Sequence, residues 1–414
     1  MEIESIMNQP KQQLPIAPEK LFSTACHLHQ KGELRKALLI YEKLHENIQP
    51  SPLLFYNIGL AQQELGDYEK AISYYNQAAQ LSPHDVDILY NLALCYQKNK
   101  NRKMALILYQ KAHDCSPDDV DILYNLGCCH QQDHDEDSAM TTYESLMQID
   151  TNHQSTLNNL AYLYQKNGRD NEAVSLYKRL LKLQPNHEGA LHMLASLTGS
   201  TATSTPKQYI KDVFNHYSSH YESSLVDELG YDVPDKLRKL YDSHFQENRP
   251  PVKAIDLGCG TGLSGLSFHD ICDNLTGIDL SENMVEEAEK KQIYDQLVIK
   301  DILGFLKKKN NCYDLIIAAD VLTYMGDLSD IFKLAYTSGS DGCVFCFSTE
   351  KTNTKGFRLG KTGRFQHSIN YLHLTAQQTG WQTLLQVETD LRMEKGVWIP
   401  GNLTFLGKPK VSAI

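Results

Sequence analysis

From residue 18 to residue 187, apolar side chains recur at helical spacing, in paired stripes separated by short polar turns. The pattern overlays itself when the chain is shifted by 34 positions: "LFYNIGLAQQELGDYEKAISYYNQAAQLSP", "ILYNLALCYQKNKNRKMALILYQKAHDCSP", "ILYNLGCCHQQDHDEDSAMTTYESLMQID" and "TLNNLAYLYQKNGRDNEAVSLYKRLLKLQP" follow one another, after a weaker copy, "LFSTACHLHQKGELRKALLIYEKLHENIQP". Small residues hold fixed places at Ala25, Gly59, Ala93, Gly127 and Ala161, and at Ala37, Ala71, Ala105, Ala139 and Ala173. Tyr41, Tyr75, Tyr109, Tyr143 and Tyr177 hold another, and Pro83, Pro117 and Pro185 close three units. Each unit predicts a helix pair in which the small residues allow close approach and the tyrosines fill the wedge. One pair cannot bury its own apolar face, so stacking creates the core. After "TGSTATSTP" the period changes: "VKAIDLG", "NLTGIDL", "QLVIKDI", "YDLIIAADVL" and "CVFCFST" are short apolar runs alternating with helical stretches such as "SENMVEEAEKKQ" and "DLSDIFKLAY". That alternation predicts a mostly parallel sheet covered on both faces, ending in an antiparallel hairpin made by "TLLQVETDLRME" and "GNLTFLG".

The first half resembles the tetratricopeptide repeat, five copies in all, with Thr151 standing where a proline is expected. The helix in "HEGALHMLASL" is expected to cap the stack. The predicted organisation is an N-terminal extension over 1–17, the repeats and cap over 18–199, a linker over 200–206 and an α/β domain over 207–414. The resemblance implies a concave groove that binds a peptide or protein segment. Asn57, Asn91, Asn125 and Asn159 share one register beside Tyr56, Tyr90 and Tyr124. An amide offers both donor and acceptor, so such a ladder suits an extended backbone; bonding within the superhelix is the alternative.

Composition narrows the functions. The net charge of −11 provides no basic face for nucleic acid. Ten scattered cysteines, with Cys343 and Cys346 inside one apolar run, read as reduced packing thiols and predict no metal. No stretch reaches the length of a membrane span and the start lacks the apolar core of a signal peptide, so a cytoplasmic protein without a membrane partner is expected.

The chemistry sits in "AIDLGCGTGLSG", residues 254–265. Its Gly260, Gly262 and Gly265 satisfy the dinucleotide fingerprint, yet Asp256-Leu-Gly258-Cys-Gly260-Thr-Gly262 follows a different cofactor pattern. Asp256 lies inside the strand, where NAD sites keep an apolar residue. The second half resembles class I S-adenosylmethionine-dependent methyltransferases, and more particularly bacterial predicted methyltransferases that carry tetratricopeptide repeats. The fold this implies is an all-α solenoid followed by a Rossmann-like α/β domain with a seven-stranded sheet. The cofactor implied is S-adenosylmethionine: Asp256 toward its methionine end, Asp279 on the ribose hydroxyls, Met284 on adenine, Asp301 and Ile302 at the adenine amino group, and Asp320 beside the donor methyl. Tyr217 and Tyr221 belong to a segment resembling the lid of such enzymes, with core packing as the competing role.

Methyl transfer to an unidentified acceptor is the expected activity, with the repeats recruiting a protein substrate or partner; a small-molecule acceptor also fits. His367 and Tyr324 are the candidate bases and Arg364 the candidate anchor, with capping of the following helix as the other reading of His367. "VLTY" after Asp320 lacks the "N/D-P-P-Y" element of amino-methylation on adenine or glutamine. The rival reading is a repeat scaffold whose second domain binds the donor without turnover.

Overall fold

Each unit breaks into two helices because a capped turn interrupts its apolar stripe. The pairs are Pro18–Gln30 with Leu34–Asn47, Pro52–Glu64 with Tyr68–Leu81, Val86–Lys98 with Arg102–Cys115, Val120–Gln132 with Glu136–Ile149, and Gln154–Lys166 with Asp170–Leu183. Asp85 and Asp119 accept the backbone N–H of Ile88 and Ile122 at 3.1 and 3.0 Å, satisfying donors that a helix start leaves open. The turn within each pair needs a left-handed residue. Gly32, Gly66 and Gly168 supply it, and Lys100 and His134 take φ 61° at the equivalent places. The computed structural model describes residues 17–200, 202–217, 229–245, 252–394 and 396–410, and of residues 212, 216 and 217 the backbone alone.

The five register tyrosines are buried. Tyr75, Tyr109 and Tyr143 donate to the side-chain oxygens of Gln63, Gln97 and Gln131 at 3.0–3.3 Å, one polar contact repeated per unit. The wedge is tightest where the opposing residue is glycine: a Cβ on Gly127 would stand 2.4 Å from the Tyr143 ring.

The chain divides into two compact units, 1–183 and 184–414. The helix Glu188–Thr198 falls within the second of these units. There His192 is buried and its Nε2 lies 2.8 Å from the Gly363 carbonyl, the geometry of a neutral ring donating from Nε2. Residues 203–205 of the expected linker are bonded to the chain at 324–327. Ser204 forms an antiparallel bridge with Met325, the Thr205 N–H donates to the Tyr324 carbonyl at 3.0 Å, and Gly326 and Asp327 donate to the Thr203 carbonyl at 2.9 and 3.0 Å. Small polar composition suggested freedom, but unpaired backbone at 324–327 provides partners for this strap.

Among the described residues the second unit holds one nine-stranded sheet. Strands β1 (Lys253–Leu257), β2 (Asn274–Asp279), β3 (Gln296–Ile299), β4 (Tyr313–Ala318) and β5 (Gly339–Lys351) run parallel in the order β3-β2-β1-β4-β5. The hairpin of β8 (Gln382–Glu394) and β9 (Val397–Gly407) closes the sheet, β9 lying antiparallel to β5. A small hairpin, β6 (Phe357–Leu359) with β7 (Phe365–His367), pairs with the end of β5 and adds two strands to the seven expected. Phe332, Phe345, Phe347 and Trp381 fill one face of the sheet, and Tyr241, Phe268, Leu403 and Phe405 the other. Cys343 packs with the first group and Cys346 with the second, so the two thiols cannot converge on one metal.

Candidate functional site

In the order β3-β2-β1-β4-β5 the direction of winding reverses between β1 and β4, and open α/β sheets bind ligands outside the carboxyl ends of strands at such a point. A cavity of about 300 Å³ opens there. Gly258 and Gly260 form its floor with φ 71° and 52°. A Cβ on Gly258 would stand 2.5 Å from Val321, so glycine is required by neighbour and backbone alike.

Asp279, at the end of β2, is the most fully prepared group on the wall. Its two carboxylate oxygens accept the backbone N–H of Gly260 at 3.0 Å and of Ser281 at 2.8 Å. Each oxygen keeps a further lone pair for a hydroxyl, so a vicinal diol fits this carboxylate. Burial raises its pKa, and the N–H groups of Ser281 and Gly260 oppose that rise. Met284 and Ile302 are buried side chains that line the cavity together with Leu280 and Asp301. Asp301 caps the helix Ile302–Leu306 by accepting the Gly304 N–H at 2.9 Å and pairs with Lys207 at 3.0 Å. Asp320 lines the opposite end at the close of β4. Thr205 and Phe214 complete the enclosure from the strap and the helix Lys207–Tyr217, and the Phe214 ring meets Tyr324 edge-on at 5.4 Å.

Other expected residues fall elsewhere. Asp256 is fully buried behind the glycine turn and is not on the cavity wall. It accepts the Tyr294 hydroxyl at 2.7 Å, while its second oxygen has no partner. Burial pushes its pKa up to about 7, with the Tyr294 hydrogen bond opposing and the charge of Asp279 adding to the rise. Tyr294 in turn accepts the Gly265 N–H at 3.2 Å, and a Cβ on Gly265 would lie 2.5 Å from its ring. Asp256 thus props the loop from behind through Tyr294. Gly262, with φ 97°, starts the helix Leu263–Phe268 and is not among the lining residues.

His367 is not brought to the cavity. It is buried on β7, its Nε2 lies 3.0 Å from the Gly326 carbonyl, and its ring stacks on Tyr371. Burial lowers its pKa to about 4, against the Gly326 carbonyl. The expected loop is a strand, which turns the imidazole inward; Ser368, not His367, caps the following helix through the Tyr371 N–H. Arg364 is also off the wall and pairs with Glu394. Tyr324 does line the cavity, with a pKa raised by burial, so its phenol is a donor at neutral pH. The side chain of Tyr217 and all of Tyr221 lie outside the described residues.

In the first unit, the asparagine amides are occupied within the array. Asn91 and Asn125 donate to Tyr56 and Tyr90 at 3.3 and 3.1 Å, Asn159 donates to Tyr143 at 3.3 Å, and Asn57 donates to the Leu53 carbonyl. Tyr124 also bonds Asn159.

Sequence reasoning missed Tyr294, Arg392, Glu350 and Glu394. Each sits in an ordinary strand or turn context, and, apart from the neighbours Arg392 and Glu394, the partners that give it meaning lie tens of residues away.

The fold and site define a two-part chain, a helical repeat array joined to an α/β domain with a cavity at the carboxyl ends of its strands. The methyltransferase-domain family matches residues 255–347, and tetratricopeptide-repeat families match 52–85, 86–119 and 130–197. The chain therefore carries tetratricopeptide repeats followed by a methyltransferase domain, and S-adenosylmethionine is the cofactor that this domain match supports. Two ubiquinone biosynthesis O-methyltransferases, from Pseudomonas savastanoi pv. phaseolicola (strain 1448A / Race 6) and Pseudomonas syringae pv. syringae (strain B728a), are each 24% identical over 127 residues, covering 29% of this chain and 53% of theirs. The chain spans about half the length of these curated relatives. Among solved structures, YrrB, a repeat protein with an unusual peptide-binding site, is 22% identical with a TM-score of 0.40, covering 46% of this chain and 95% of its own. Magnesium protoporphyrin IX methyltransferase from Synechocystis PCC 6803, with bound SAM, is 16% identical with a TM-score of 0.38, covering 49% and 96%. Among the described residues no helix is long and apolar enough to cross a membrane.

Proposed function

We propose that the chain transfers the methyl group of S-adenosylmethionine to an acceptor held beyond Asp320, and that the repeats recruit a protein substrate or partner. The observation that carries the first part is the preset carboxylate of Asp279 beside a glycine floor, a donor set suited to a ribose diol next to a chain that needs close backbone approach. The cofactor, when bound, supplies an already activated methyl group. The protein's own task is then orientation and exclusion of water. Met284 and Ile302 offer apolar surface for a flat base, and the strap residue Thr205 with Phe214 covers the opening. With His367 buried elsewhere and Tyr324 a neutral donor, the cavity favours an acceptor that needs no strong base. That same observation favours the second reading, a repeat scaffold that binds the donor without turnover.

The recruiting role rests on the tetratricopeptide-repeat architecture itself and not on the asparagine ladder, whose amides are bonded within the array. Calorimetry with S-adenosylhomocysteine tests the donor site: the protein binds it, does not bind NAD, and loses at least a hundredfold in affinity on Asp279→Ala while far-UV circular dichroism stays unchanged. NAD binding in place of S-adenosylhomocysteine defeats the assignment. Labelled donor incubated with cell lysate and separated by size separates enzyme from scaffold: label in protein or small-molecule fractions marks the enzyme, label in neither marks the scaffold.

A further inference from the structure

A second cavity, of about 360 Å³, lies where β5 ends and is lined by Lys351, Thr352, Asn353, Thr354, Arg358 and Pro400. It shares no residue with the cavity at the glycine turn, and no acidic side chain lines it. The chain around it is locally basic. From 351 to 364 it carries Lys351, Lys355, Arg358, Lys361 and Arg364 and not one Asp or Glu, against a net charge of −11 for the whole sequence. That stretch contains β6 and the turn to β7.

The cations differ in how far they are committed. Arg364 pairs with Glu394, and Lys351 pairs with Glu388 at 2.7 Å. Arg358 donates from Nε to Gln366 Oε1 at 2.7 Å, which fixes its stem on the β6–β7 pair. Its two terminal amino groups have no partner among the described residues. Hydroxyls stand beside this charge: Thr352 is buried, and its Oγ1 lies 3.0 Å from that of Thr354. The polar character continues inward. Strand alternation puts Thr349 on the face of Lys351 and Asn402 on that of Pro400, and Thr349 and Asn402 are paired across β5 and β9. Both are fully buried, yet Thr349 Oγ1 and both amide atoms of Asn402 have no partner among the described residues. Buried polar atoms are ordinarily satisfied, so this row is unusual for the middle of a sheet.

We propose that the cavity at the end of β5 binds the phosphate group of a small molecule, at a site separate from the one at the glycine turn. The open guanidinium fork of Arg358 holds two oxygens of an oxyanion. A carboxylate has no more to offer, whereas a phosphate keeps a further oxygen for the Thr352 and Thr354 side and for Lys351. Glu388 is the built-in competitor, because it already holds the Lys351 ammonium.

The test titrates the intact protein with inorganic phosphate, followed by phosphorus-31 line broadening, with succinate as the competing carboxylate. The wild-type protein is expected to bind phosphate with a Kd on the order of 1 mM and at least about threefold more tightly than succinate. Arg358→Gln weakens phosphate binding by about fivefold or more. Glu388→Gln frees Lys351 and strengthens it by about twofold. Lys355→Gln removes the same unit of charge from a side chain off the wall, and changes the affinity by less than about twofold. All three positions are exposed, so the variants keep the fold. No binding to the wild type overturns the proposal, as does succinate bound as tightly as phosphate. Equal losses in Arg358→Gln and Lys355→Gln overturn it too, since they show diffuse attraction to a basic segment. So does Glu388→Gln binding no tighter than the wild type.

Discussion

Replacing Asp256 by asparagine isolates the cost of ionising a carboxylate behind the glycine turn. The folded-state pKa is about 7, whereas an unfolded aspartate titrates near 3.9. An acid whose pKa rises on folding binds its proton more tightly in the native state. Its stabilising contribution is therefore full below about pH 4, declines as pH climbs through 7 and is flat above that. The slope is about 1.4 kcal/mol per pH unit, so between pH 5 and pH 8 the wild-type second unit loses about 2.5 kcal/mol that the asparagine variant does not lose. Asparagine preserves an oxygen for the Tyr294 hydroxyl, so the comparison changes ionisation and little else. Both tryptophans, Trp381 and Trp398, lie in the second unit, and Trp381 is buried with its indole donating to the Phe332 carbonyl at 2.9 Å. Urea unfolding followed by tryptophan fluorescence consequently reports this unit within the intact chain. The variant is expected to gain on the wild type steadily between pH 5 and pH 7, with the difference constant above. Stability curves that stay parallel across this range refute the argument, because they place the titration of Asp256 at its ordinary value.

Gly127→Ala gains about 1 kcal/mol of helix propensity but drives a methyl into the Tyr143 ring, so a net loss of about 1–2 kcal/mol is expected in far-UV melts, with the tryptophan signal unmoved. Gly127→Ala melting at or above the wild type shows that the ring yields freely. Thr205→Pro removes the N–H that ties the strap to Tyr324, and a drop of about tenfold in S-adenosylhomocysteine affinity is expected by calorimetry. Unchanged affinity would mean that the strap is not needed to cover the cavity. His367→Phe leaves the Gly326 carbonyl without its donor and lowers the stability of the second unit by about 1–3 kcal/mol, while S-adenosylhomocysteine binding is retained. Lost binding with an unchanged melt returns His367 to the site.

The repeats were legible because their signal is local and iterated. A tyrosine every 34 positions opposite an alanine or glycine leaves little choice of helix pairing, and Asp85 or Asp119 at a turn states where a helix begins. The same holds for the glycine floor and Asp279: the turn's dihedrals and the acid at the next strand end are properties of short segments. Where a reading depended on which side of a strand a residue faces, the chain alone misled. His367 lay in a stretch without strong periodicity, and pairing of β7 with β5 decided that its imidazole points inward. Likewise a small polar composition describes a linker, but the backbone at 324–327 bonds Thr203 and Thr205.

Local sequence thus determined the repeat architecture, the main strands and helices of the second unit and the position of the cofactor loop, though not the β6–β7 hairpin, because helical period, strand alternation and turn dihedrals act within a few residues. Tertiary structure alone decided the raised pKa of Asp256, the burial of His367 and the assembly of Asp320, Glu350, Arg392 and Glu394. Desolvation and charge pairing depend on what surrounds a group in space. For Asp320 and Arg392 those surroundings come from strand ends 72 residues apart.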